Sequence, residues 1–246
     1  MQYPRNPYGQ DGTISLVSKH MSVLHVRWLG SIDYAAAWEM QRELMRQRRE
    51  GAIPDTLLLL EHRPPVITLG RVSHAEHLLV PPENLLQMGI QLVETDRGGD
   101  ITYHGPGQLV GYPILDLREH GRDVHLYLRR LEEAIIIALR HFGIEAHRKQ
   151  GFTGVWVGDE KIAAMGIKVT HWVTMHGFAL NVQPNLSHFG LIVPCGIHDK
   201  GVTSIQSLLA REVTLKEVIP PVIEAFAQVF NFRPAEALAP ASHAPL

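Results

Sequence analysis

The sequence predicts an α+β fold, a mixed sheet with helices packed on it, and three observations carry that expectation. One helical pattern is long and clean: Val124, Leu128, Leu131, Ile135, Ala138 and Phe142 recur at steps of four and three, between Asp123 as a cap and Gly143 as a stop. A hairpin is written in residues 154–157 and 161–169, two apolar runs that turn at Gly158-Asp159. Around these, short strand-like and helix-like runs alternate along the domain without repeats or a linker.

From the N-terminus, residues 1–20 are polar and aperiodic and read as a flexible extension. Asp33 caps a helix running to Glu50, with Ala37, Met40 and Leu44 on one face and Gly51 as its stop. Residues 56–61 and 66–70 read as strands separated by Pro64 and Pro65, and 90–94 and 109–117 as two more. Residues 173–182 form a further strand after the hairpin. Thr214 and Glu217 make a capping box, although Pro220 and Pro221 should kink or restart the helix that follows. Residues 21–234 are one domain, and 235–246, rich in Ala and Pro, a flexible tail.

Composition removes several classes of function. A formal net charge of -2 argues against a nucleic-acid partner held through phosphates. The short basic run Arg46, Arg48, Arg49 reads as a solvated helix face. No segment has membrane-spanning length or the character of a signal peptide, so the expected setting is cytoplasmic, away from the membrane. The single cysteine allows neither an intrachain disulfide nor a multi-cysteine metal site. The 15 histidines show no ligand spacing such as HExxH, and His74 and His77 read as surface residues; no metal is expected.

Three stretches do not serve packing. RGGDITYHGPGQ, residues 97–108, puts four glycines, a proline, an arginine and a histidine between two apolar strands. It reads as a long loop whose glycines bring the backbone close to a ligand, with Arg97 and His104 as directed donors. It has neither the Gly-Lys-Ser/Thr ending of a phosphate loop nor the spacing of a dinucleotide fingerprint. VPCGIHD, residues 193–199, holds the lone cysteine between Pro194 and Gly196, in a turn where a reactive thiol competes with an inert core residue. His198, three residues on, offers one scheme of activation. In GDEKIAAMGIK, residues 158–168, strand alternation puts Lys161 on one face with Ala163, Met165 and Ile167. It either snorkels to water at a strand edge or is a desolvated amine, able to stabilise a thiolate.

Together these motifs resemble the lipoyl(octanoyl) transferase family, of the biotin/lipoate protein ligase catalytic-domain fold. The resemblance runs in order through EHRPPVITLGR (61–71), RGGDITYHGPGQLVGYPILDL (97–117), GVWVGDEKIAAMGIKV (154–169), HGFALNV (176–182) and VPCGI (193–197), with small departures at Arg63 and Met165. It implies that Cys195 carries the acyl group as a thioester and that Lys161 lowers its pKa and handles protons. It also implies substrate contacts from Arg97, Gly98, Gly99, Asp100, Ile101, Thr102, Tyr103 and His104. Ala164, Met165 and Gly166 add to these, as do Gly177, Phe178 and Ala179. The implied donor is octanoyl-acyl carrier protein. The implied acceptors are lysines on lipoyl domains of 2-oxoacid dehydrogenases and on the glycine cleavage H protein, and the family suggests a monomer without cofactors. The nearest rival is an ATP-dependent lipoate or biotin ligase on the same fold; a non-catalytic binding protein and a metal-dependent hydrolase stand further off.

Overall fold

The structure is a computed structural model that describes residues 22–194 and 200–233. Strand β1 (His25–Ile32) leads into helix α1 (Tyr34–Arg49), which begins where Asp33 accepts from the amides of Ala35 and Ala36. Then come β2 (Thr56–His62), β3 (Val66–Leu69), α2 (Pro82–Gln87), β4 (Gln91–Glu94), β5 (Ile101–His104) and β6 (Gln108–Ile114). Helix α3 (Val124–Arg140) follows its cap Asp123, then β7 (His147–Lys149), β8 (Phe152–Val157), β9 (Glu160–Thr170) and β10 (Val173–Asn181). The C-terminal part holds β11 (Gly201–Val202), α4 (Ile205–Leu209) and α5 (Leu215–Phe230).

Among the described residues the main sheet has the order β1-β2-β6-β10-β9-β8-β7, with β11 beside the start of β9. Its pairings are mixed, β1 with β2 and β11 with β9 parallel and the rest antiparallel. A separate small sheet has the order β4-β3-β5. Alternation along the strands divides the core. Leu57, Leu59, Phe178 and Leu180 face α3 and α5, whereas Leu58, Leu60, Val110, Tyr112 and Ala179 face α1. A third cluster, with Ile67, Ile101 and Tyr103, fills the back of the small sheet. No helix among the described residues is long and apolar enough to cross a membrane.

The α+β expectation holds, and so do both helix caps, the turn at Gly158-Asp159 and the capping box at Thr214. Several readings change. Residues 97–108 are not one long loop, because Ile101–His104 pair with β3 as a fully buried strand. Pro220 and Pro221 lie inside a continuous α5. The two prolines take away the amide donors of the Lys216 and Glu217 carbonyls, and both of those residues are exposed, where water can replace them. The buried face of α3 is Tyr127, Leu131, Ala134, Ile135 and Ala138, and Val124 is exposed. Arg48 leaves the solvated face and is buried, its Nε donating to Asp55 at 2.7 Å and its Nη2 to Glu119 at 2.8 Å. His77 is not a surface residue either: its Nδ1 meets the Asp100 carboxylate at 2.5 Å.

Candidate active site

The glycine-rich stretch is held by backbone contacts on both sides. Arg97, Gly99 and Asp100 accept from the amides of Arg71, Val72 and Gly70 at the end of β3, and the Gly98 amide donates to Ile167 of β9 at 2.9 Å. Gly99 has φ +89°, which an L side chain rarely adopts. The approach to β9 is also close, since a Cβ on Gly166 would lie 3.1 Å from both the Gly98 carbonyl oxygen and Arg97 Cδ, which would have to give by a few tenths of an ångström. Arg97 is buried and turns back on β3, where its Nη2 donates to the carbonyl of Thr68 at 2.7 Å.

This stretch and β5 roof a cleft of about 460 Å³, counted to its open mouth, over the α1-facing side of the main sheet. Arg97, Gly99, Asp100, Thr102 and His104 line it from above; Ala164, Met165, Gly166, Gly177, Phe178 and Ala179 form the floor on β9 and β10. Of the other expected contacts, Ile101 and Tyr103 point into the core behind the small sheet, and Gly98 supports the roof without lining the cleft. Three lining residues were missed in the sequence: Tyr34, Tyr112 and His176. Two of them carried a signal, His176 as the first residue of the HGFALNV motif and Tyr112 within the motif at 97–117; Tyr34 lies outside every motif.

Burial sets the ionisation of the site. His104 is driven down to about 3, chiefly by burial and then by His62 nearby, and His62 itself to about 4 by burial. Both are therefore neutral near pH 7. The Nδ1 of His62 faces the carbonyl oxygen of Ile32 and must donate to it, so its Nε2 accepts the Tyr112 hydroxyl proton at 2.7 Å. Burial lowers His176 as well, against the pull of Asp96, whose carboxylate accepts from His176 Nε2 at 2.8 Å and from Lys168 at 2.6 Å.

Lys161 lines a second, smaller cavity that shares Thr102, Ala164 and Ala179 with the cleft. It does not sit on the face that simple alternation gives it. On β8 and β9, Val155 pairs with Ala163 but Trp156 with Lys161, so Ile162 is an extra residue. That bulge leaves Ala163, Met165 and Ile167 on the helical side while Lys161 joins Ala164 at the cavity. The snorkelling alternative is also removed. Lys161 is 6% exposed, and its Nζ lies 4.9 Å from the centre of the Trp156 ring.

A polar chain ties this cavity to the cleft. His104 Nδ1 donates to Gln108 Oε1 at 2.8 Å, because Gln108 Nε2 is already directed at two oxygens, those of Tyr103 and of Asn181. Asn181 in turn donates to the carbonyl of Thr203, whose amide donates to the carbonyl of Lys161. Pro194 lines the same cavity as Lys161, and Cys195 is the next residue in the chain. Cys195 and His198 themselves lie outside the described residues. Among the described residues no three His, Asp or Glu side chains are grouped so as to hold a metal ion.

Comparison with known proteins gives this cleft its lineage. The chain is 52% identical to an octanoyltransferase of Chloroflexus aggregans over 89% of this chain and 100% of that one. It is 55% identical to one of Solibacter usitatus over 84% and 93%. In fold it is similar to a bi-partite lipoate protein ligase of Thermoplasma acidophilum, with a TM-score of 0.65 at 18% identity, covering 89% of this chain and 88% of that one. Residues 33–227 match the family model of the lipoyl protein ligase A/B catalytic domain, and the chain belongs to that family.

Proposed function

We propose that this chain, with its catalytic domain at residues 21–234, transfers an octanoyl group from octanoyl-acyl carrier protein to a lysine of a lipoyl domain, through a thioester on Cys195. One observation carries the reading: the buried amine of Lys161 and the residue before the only cysteine line one cavity, which joins a narrow cleft floored by alanine and glycine. The name octanoyltransferase on relatives about half identical over most of the chain supports the substrate. The similar ligase of known structure was studied together with its E2 lipoyl domain, which supports the class of acceptor. The acceptors are lipoyl domains of 2-oxoacid dehydrogenases and the glycine cleavage H protein, the enzyme works as a monomer, and a lone free thiol suits the reducing cytoplasm.

The chemistry balances without a nucleotide. The Lys161 ammonium stabilises the Cys195 thiolate, which attacks the carrier thioester; the Cys–acyl bond forms and the carrier sulfur leaves. Lys161 gives that sulfur its proton and becomes neutral. The neutral amine of the incoming lysine then attacks the Cys195 thioester, Lys161 takes its proton, and the thiolate is released. The first exchange is nearly isoenergetic and the second makes an amide from a thioester, which drives the sequence. Backbone amides of the glycine-rich segments supply the oxyanion donors, each worth about 3 kcal/mol in measured enzymes.

The test is transfer to a lipoyl domain in the absence of ATP, with intact mass of the enzyme read in parallel. An added octanoyl mass on Cys195 and turnover without ATP are expected. Cys195→Ser and Lys161→Ala should each lose most activity, on the order of a thousandfold or more, with the fold kept. Product that appears only with ATP would transfer the assignment to the ligase reading.

A further inference from the structure

The cleft closes, at the side away from Lys161, on a braced aromatic wall. Gln108, Val110 and Tyr112 are successive residues on one face of β6; Gln108 lines the Lys161 cavity and Tyr112 lines the cleft. From Gln108 to Tyr112 is four residues, about 13 Å at the strand rise, comparable with an extended eight-carbon chain and its thioester. Between them Ala164, Gly166, Gly177 and Ala179 put nothing larger than a methyl group on the floor, and Met165 and Phe178, which also line it, pack in the cluster on the α3 and α5 side.

Tyr112 is 4% exposed and is fixed at two points. Its hydroxyl donates to His62, whose other nitrogen is tied to the carbonyl of Ile32. Its ring meets His176 edge-on, with centroids 6.2 Å apart. The other wall tyrosine, Tyr34, is 1% exposed, and its ring packs against those of His62 and His104, with centroids 5.0 and 6.4 Å away. With its hydroxyl committed to His62, the surface Tyr112 leaves for a ligand is ring carbon, the surface a terminal methyl group meets without leaving a polar atom unpaired.

We propose that Tyr112, clamped by His62, is the stop that sets acyl chain length. The inference rests on the acyl-transfer reading and adds which residue decides between chains of different length. Because the wall is cross-braced, a longer chain meets a rigid obstacle and not a side chain that can swing away.

The experiment measures self-acylation of the enzyme by carrier thioesters of six, eight, ten and twelve carbons, read by intact mass. The intact protein should prefer eight. Tyr112→Ala should raise the ratio of decanoyl to octanoyl rate about tenfold, the effect of two further buried methylenes. Tyr112→Leu, which keeps an apolar side chain in the core, should shift the profile the same way by less and guards against failure of the alanine variant to fold. Tyr112→Phe keeps the ring and should keep the optimum at eight, with weaker rejection of ten. A folded alanine or leucine variant with the original profile would overturn the proposal. An unaltered protein that takes up no acyl group of any length would instead overturn the acyl-transfer reading itself.

Discussion

Gly70 follows β3 beside the glycine-rich stretch, and a Cβ there would stand 2.1 Å from the carbonyl oxygen of Gly99 and 2.8 Å from Arg97 Nη1. Backbone and a buried guanidinium cannot both retreat, so the roof of the cleft must shift by something near an ångström. Gly70→Ala is therefore expected to lower kcat/KM by about a hundredfold, the usual result of misplacing a substrate by that distance. Steady-state transfer kinetics check it, with circular dichroism to establish that the fold survives. Residues of this kind were legible in the sequence because the glycines and the histidine of RGGDITYHGPGQ break any apolar period. Tyr34 was not, and Tyr112 stood in the 97–117 motif with nothing to mark it as a contact. Each looks like an ordinary core aromatic in its own segment, and only the approach of α1 to the main sheet brings both to one cleft. His77 was misjudged for the same reason, since its partner Asp100 is 23 positions away.

Elements with a strong local period were read nearly to the residue, and those whose partner is distant were not. Helix α3 declares itself through Asp123, whose carboxylate accepts from the amides of His125 at 2.8 Å and Leu126 at 3.0 Å. Asp123→Ala should cost about 1 kcal/mol. For a chain of this size that is a fall in Tm of about 3 °C. Because α3 packs on the face of the sheet opposite the cleft, the transfer rate should stay as it was; a rate that falls with Tm would tie the helix to the site. Strand β5 was hidden inside the glycine-rich stretch, because four residues between Asp100 and Gly105 carry too little pattern to separate strand from loop. The bulge at Ile162 was hidden too. Alternation in the sequence assumes an unbroken ladder, and nothing in KIAAMGIK marks the extra residue that moves Lys161 to the cavity side.

At the scale of the molecule, a second small sheet laid over the main one makes a deep cleft and buries several imidazoles with it. His62 and His104 keep folded-state values near 4 and 3, against 6.5 for the free side chain. The unfolded chain therefore takes up two protons near pH 6.5 that the folded protein refuses until much lower pH. Above about pH 6.5 both states hold these rings neutral and stability is at its full value. As pH falls from there toward 4, each ring favours the unfolded state by about 1.4 kcal/mol per pH unit, about 3 kcal/mol per unit for the pair as an upper estimate. Below about 4 the folded His62 also protonates and its share levels off, and His104 follows near 3. Burial lowers His176 in the same direction and adds to the slope. Urea unfolding at pH 7.5 and pH 5.5 should thus show a loss of roughly 3 kcal/mol across that interval, before protonation of the carboxylates contributes. His62→Gln, less stable throughout, should show about half that dependence, since one of the two rings no longer titrates. Equal stability at the two pH values would mean that the space between the sheets admits water or a counter-charge, and the closed wall inferred around Tyr112 would fail with it.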